Sequence, residues 1–527
     1  MSRALSTCCG VALLLAAAAC RGTTGAEDGT PPAGELRVAI TEPRSLLSTD
    51  ATDSNAVLVL SALYTGLVEY DPKTSAPVNA MAESITTTDR RVWTIALEPG
   101  WRFHNGEPVD ADAYLRAWNF AAHGPNAQQG ASFLDRVSGF AEAQSGRADR
   151  LAGLRKLDDL RFEVSLAAPF AAFPVLLGAP VFLPMAAACA ADPTACGEAP
   201  IGNGPFRVDG RWEHDRRLAL VRQDAHPGPA PAVDRLTFLV YAQGETAYND
   251  LLAGEVDFLK DVPPNKVTDA RQRLGPRLVE QDSPAVRHLG FPTHLPPFDD
   301  KRVRQAISLA IDRQAVSDAV VSGRYTAADG FAPALVPGAR PGRCGHCRFD
   351  PARARELLAR AGGWRGGPLQ LWFPSGSGAE LLMQAVGDQV KRHLGIDYEL
   401  RDTLPSAQYL ETLRQGGATG PWRTNWVPDY PLLENYLKPL FGTGQSGNYS
   451  RWSDPGFDRL IAEGDGAADP VEAARRYGQA EELLAEELPV APLWFDRAAM
   501  ALGERVEHLS VHPVTRALDL TGVRLRG

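Results

Sequence analysis

No stretch of these 527 residues is apolar enough to cross a bilayer. The run Val11 to Ala19 is nine residues, whereas a spanning helix needs about twenty. Lysine is scarce, 7 of the 54 basic residues, and the 64 acidic ones leave a net charge of -10. Such a chain has no broad positive field to hold phosphate backbones, which argues against a nucleic-acid partner. GxSxG, HExxH and Walker A motifs are all missing, so the usual hydrolase, zinc-peptidase and P-loop chemistries have no residues to run on. The ten histidines are scattered, and the one i, i+4 pair, His508 and His512, lacks a third ligand at metal-binding spacing. Neither a metal nor a cofactor is expected, and no repeat of 20–50 residues marks a solenoid. With 44% hydrophobic and 22% charged residues the composition is that of a globular chain.

At the N-terminus, Arg3, the apolar run Val11–Ala19 and then Cys20 read as a secretion signal over residues 1–19. Ala17, Ala18 and Ala19 before Cys20 resemble a bacterial lipobox, in which the cysteine is lipidated and becomes the mature N-terminus. Residues 20–34 are polar and rich in Gly and Pro, the composition of a flexible tether. The expected protein is exported and held by lipid at the outer face of the cell membrane, with its folded body in water. Four cysteines remain in that body: Cys189, Cys196, Cys344 and Cys347. An oxidising compartment favours disulfides, and 189–196 with 344–347 is the simplest of three pairings. Cys344-Gly345-His346-Cys347 also has the residues of a disulfide-isomerase site, so a thiol oxidoreductase is a rival reading. Its place in a Pro/Gly-rich loop, outside any βαβ unit, speaks against that rival.

Strand-like alternation runs through Leu36-Val38-Ile40, Trp93-Ile95-Leu97, Leu236-Phe238-Val240 and Leu369-Leu371-Phe373. Helical spacing follows Asp110 or Asp112 (Tyr114, Ala117, Trp118, Ala121) and Asp299/Asp300 (Val303, Ala306, Ile307, Ala310). It returns at Leu382–Leu394 and Ala473–Leu484. The fold class is therefore α/β with mixed sheets. Pro-rich breaks at 284–298 and 489–492 suggest two crossings between lobes: residues 35–285 as the main part of lobe 1, 286–490 as lobe 2, and 491–527 returning to lobe 1. Paired crossings make a hinge, and ligands bind in clefts between lobes.

Five segments, in this order and spacing, resemble the family 5 extracellular solute-binding proteins, the capture subunits of oligopeptide and dipeptide ABC importers. They are Ser61–Leu67, Trp101–Val109, Pro200–Phe206, Leu252–Asp257 and Pro297–Ile307, the last running on to Ala310–Arg313. The resemblance spans about 36–500. It implies a two-lobed periplasmic-binding-protein-like fold, a peptide ligand in the interlobe cleft, a permease as membrane partner, a monomer and no catalysis. Most of these segments read as structure. Gly202 and Gly204 suit a tight turn close to a neighbouring strand, and Asp299/Asp300 suit a helix cap.

Arg423-Thr424-Asn425-Trp426-Val427-Pro428-Asp429-Tyr430-Pro431 resembles the family's Trp-x-x-Asp-Tyr-Pro signature, whose aspartate pairs with the ligand's α-ammonium group. That role falls on Asp429. Asn425 and Val427 are placed to offer backbone groups to an extended peptide, Trp426 to form an apolar wall and Arg423 to meet a carboxylate. Glu42 matches an N-terminal-strand position near the family's cleft. Leu432-Leu433 departs from the usual Asp-Pro, which keeps open a non-peptide ligand such as a nickel chelate, an oligosaccharide or another metabolite.

Overall fold

A computed structural model describes residues 34–526. The signal run 1–19, Cys20 and the tether as far as residue 33 lie outside the described residues. The four alternating segments form strands Glu35–Ile40, Val92–Leu97, Arg235–Val240 and Leu369–Trp372. Val92–Leu97 buries every second residue, as a half-buried strand must. The periodic segments form helices Ala111–Ala122, Lys301–Leu309, Glu380–Leu394 and Pro470–Glu487. Asp110 and Asp300 cap the first two, accepting from the backbone N–H of Ala113 and Arg302, which satisfies donors left free at a helix start.

One mixed sheet of 11 strands runs through the described residues. Its order begins Tyr398–Arg401, Leu369–Trp372, Trp422–Trp426, Leu278–Gly290 and Val490–Leu502. It continues through Phe258–Leu259, Glu35–Ile40, Arg235–Val240, Arg217–Arg222 and Phe206–Val208, and the eleventh strand, Tyr325–Ala327, pairs with Val490–Leu502 off this path. The two 13-residue strands, Leu278–Gly290 and Val490–Leu502, pair antiparallel in the middle. Their register breaks between Asp282 and Val286, where Ser283-Pro284-Ala285 forms a bulge and Pro284 has no N–H for the ladder.

That break also divides the cores. One apolar cluster gathers Val286 through Trp494, and others gather Leu36–Leu63 and Leu251–Val262 with Met500 and Ala501. Ala491, Leu493 and Trp494 pack with the first of these clusters, so the C-terminal strand changes core near Phe495, past the Pro-rich 489–492 segment. Proline content marked a chain irregularity there, but side-chain packing sets the switch. A further cluster, Leu47 to Cys196, covers the four-stranded sheet containing Val92–Leu97. Gly202 and Gly204 press against the end of helix Ser54–Leu63, and the Gly204 N–H donates to the Leu63 carbonyl at 2.8 Å. The close neighbour is a helix terminus and not the strand expected: the terminal carbonyls need donors, and glycine lets a backbone N–H come close enough to supply one. Disulfides join Cys189 to Cys196 and Cys344 to Cys347, all four cysteines being buried.

Candidate functional site

The strand Trp422–Trp426 is paired along its whole length on one edge only. On that edge it runs antiparallel to Leu278–Gly290, with Arg287 opposite Asn425 and His288 opposite Thr424. On the other edge the parallel strand Leu369–Trp372 meets it at a single pair, Trp372 with Trp422, and then ends. The Trp372 N–H donates to the Pro421 carbonyl at 2.8 Å, and the Tyr409 hydroxyl donates to the Arg423 carbonyl at 2.9 Å. Odd-numbered residues of this stretch thus turn their backbone groups toward the open edge, since successive peptide units point in opposite directions. Asn425 and Val427 are the next two, both exposed, with no strand of the described residues beside them on that edge.

A cavity of about 410 Å³ lies against this edge, lined by Arg423, Thr424, Asn425 and Trp426 together with His288, Tyr409, Phe441 and Tyr449. The strand's alternation splits it into two sides. Arg423 and Asn425 share a face with Arg287, whose guanidinium is held bidentate by Asp496 at 2.6 Å and sits over the Tyr325 ring. Asp496 being so engaged, the Arg423 guanidinium has no ion-pair partner among the described residues. Burial and the nearby Arg287 pull its pKa below the ordinary value, which favours an incoming anion.

Asp429 follows the strand by three residues. Its backbone N–H donates to Asn435 Oδ1 at 2.8 Å, and Asn435 Nδ2 donates to its carboxylate at 3.4 Å. Its surface is open to solvent, yet burial pushes its carboxyl above the usual range. Both hold for a carboxylate that surrounding protein crowds, thinning its hydration without covering it. Tyr430 next door donates to Glu434 Oε2 at 2.6 Å and packs into the 47–196 core. Glu434, fully buried, pairs with Arg136 at 2.6 Å, and Arg136 also reaches Asp465 at 2.9 Å. Arg136 lies over the Phe170 ring. The loop carrying Asp429 is thus fixed from both sides by a buried ion cluster joining two cores.

The structure therefore brings Arg423, Asn425 and Trp426 to one cavity and places Val427 and Asp429 just beyond it on the same run. Glu42 lines a different cavity, of about 610 Å³, where its carboxylate meets His214 Nδ1 at 2.7 Å and the Asp215 N–H at 3.2 Å. Glu198 holds the other ring nitrogen at 2.7 Å, and the pair of carboxylates raises the His214 pKa. Leu432 and Leu433, in place of the usual Asp-Pro, pack into apolar cores. His288, Tyr409, Asn435 and Arg136 escaped the sequence reading. Asn435 lies six residues past Asp429, whereas the other three lie 14 to nearly 300 residues from the groups they meet or face, and no periodicity connects them.

The sequence model of the bacterial extracellular solute-binding proteins, family 5, matches residues 76–448. The chain belongs to that family. It is 26% identical over 468 residues to the periplasmic murein peptide-binding protein MppA of Escherichia coli, covering 86% of each chain. It is 28% identical to the probable di/tripeptide-binding protein 5 of Pseudomonas aeruginosa, covering 92% of this chain and 95% of that one. In three dimensions it resembles MppA in its unliganded open form, with a TM-score of 0.81 at 24% identity over 94% of this chain and 98% of that one. The fold is accordingly the two-lobed α/β architecture of these binding proteins.

Proposed function

We propose that this chain is the capture subunit of an ABC importer, taking extended peptides along the open edge of Trp422–Trp426 and passing them to a membrane permease. The observation that carries the reading is the unpaired edge at Asn425 and Val427, flanked by the Arg423 guanidinium, which has no ion-pair partner among the described residues, and an oriented carboxylate at Asp429. Backbone groups on such an edge bind any peptide as an added strand. The end charges need fixed counter-charges, because an unpaired buried ion is costly. The peptide-binding names among its relatives support the same class of ligand. In this reading the chain binds and releases its ligand unchanged, residues 35–285 and the stretch after Phe495 form one lobe, 286–494 the other, and the bulge at 283–285 is the hinge. Closure is selected because only the closed form gains contacts from both lobes. Glu42, engaged by His214, is assigned to holding the 213–215 turn. Titration calorimetry with trialanine against equimolar alanine, and against a nickel chelate and an oligosaccharide of similar mass, tests the reading. Only the peptide is expected to give a saturable isotherm; binding of a non-peptide alone would overturn it.

The lipobox-like Ala17–Cys20 run supports anchoring through Cys20. In cells expressing the full chain, Cys20→Ala is expected to move the protein from the membrane fraction to the soluble one. One acyl pair at the N-terminus is the attachment proposed, and unchanged sedimentation with membranes would refute it.

A further inference from the structure

Two buried polar atoms at the cavity have no partner among the described residues: His288 Nε2 and Trp426 Nε1. His288 is 3% exposed, and both residues line the cavity. His288 pairs across the ladder with Thr424 and Val286 with Trp426, so the two rings lie on one face as diagonal neighbours. Buried polar atoms are nearly always hydrogen-bonded, and leaving one unmet is costly. Two such atoms on residues that line one recess beside the ligand edge point to a group the ligand brings. Burial holds the His288 pKa down at about 3, so the imidazole is neutral. The indole N–H can only donate, whereas the imidazole can donate or accept. Trp422, Leu440, Phe441 and Val490 supply apolar walls, and the lining contains no carboxylate.

Resting on the peptide reading above, we infer that this side of the cavity is a side-chain subsite selecting an uncharged residue with an apolar body and a hydroxyl tip, tyrosine above all. The hydroxyl accepts from Trp426 Nε1–H and bonds His288 Nε2. In an added strand alternate side chains face opposite ways, so one ligand position enters this subsite while its neighbours turn to the Arg423 side. Phenylalanine fills the same space but leaves both polar atoms unmet, and a site built for a hydroxyl rejects the analogue lacking it. Lysine would bring an ammonium to a recess with no carboxylate and a fixed N–H donor.

Trialanine carrying Tyr, Phe or Lys at each position in turn, titrated calorimetrically into the full chain, tests this. At one position Tyr is expected to bind about tenfold tighter than Phe, with Lys weaker than either. His288→Leu should reduce the Tyr-over-Phe ratio below about twofold by weakening the Tyr peptide more than the Phe peptide. His288→Gln, which keeps a hydrogen-bonding group near the Nε2 position, should retain a preference of at least about threefold, and Trp426→Phe should lower it. Equal binding of Tyr and Phe at every position, or a preference that survives His288→Leu, overturns the subsite while peptide capture stands. Failure of every peptide to bind overturns both.

Discussion

Replacing Arg136 with methionine is expected to lower the free energy of unfolding by about 3–5 kcal/mol, because it strips a fully buried carboxylate of its counter-charge. Glu434 would keep only the Tyr430 hydroxyl. Asp465 would still have Lys438 at 3.1 Å and Tyr477 at 2.8 Å, which places most of the penalty on Glu434. Burial already holds the Glu434 carboxyl above its ordinary pKa, and the Arg136 guanidinium opposes that rise. Without Arg136 the folded-state value climbs further. A raised folded pKa means a contribution that is present at low pH and lost as pH increases through it, so the variant's deficit should be larger at pH 8 than at pH 5. Adding Glu434→Gln removes the stranded charge and should recover a large part of the loss. Urea unfolding of the four members of the cycle at both pH values gives the coupling. Additive losses would mean that the pair does not join the two cores energetically.

For Asp429→Asn the expected result is a loss of tenfold to several hundredfold in affinity for a free-amine peptide and little change for its N-acetylated form. A charge-assisted hydrogen bond is worth about 1.5–3 kcal/mol, and the ammonium left without a partner adds to the loss; each factor of ten corresponds to about 1.4 kcal/mol. Asn keeps the size of the side chain and the bond to Asn435, so the loop should hold its shape. The pH dependence has a definite sign. Since burial raises the Asp429 carboxyl above the usual range, affinity for the free amine is full above that raised value and falls as pH drops through it, at higher pH than for a solvated aspartate. The acetylated peptide should show no such fall. Calorimetry on the two proteins and two peptides decides the point, and zero coupling would make Asp429 a turn residue only.

The resemblance carried by five sequence segments and the model match to residues 76–448 lead to the same family, since a chain of this size keeps its caps, turns and apolar spacing where the fold needs them. Asp110 and Asp300 cap helices, and Val92–Leu97 alternates, because each depends on neighbours within a few residues. The Arg423–Asp429 run was legible for the same reason: its members share one strand and the loop after it. That strand's open edge was not legible, because it exists only where Leu369–Trp372 stops short beside it. Nor was the place where the C-terminal strand changes core, which packing sets near Phe495. His288 diagonal to Trp426 across the ladder and Arg136 clasping Glu434 across 298 positions come together only in the tertiary fold. Periodicity and capping act over one or two turns of chain, whereas counter-charges and cavity walls are recruited from any part of the sequence that packing brings within a few ångströms.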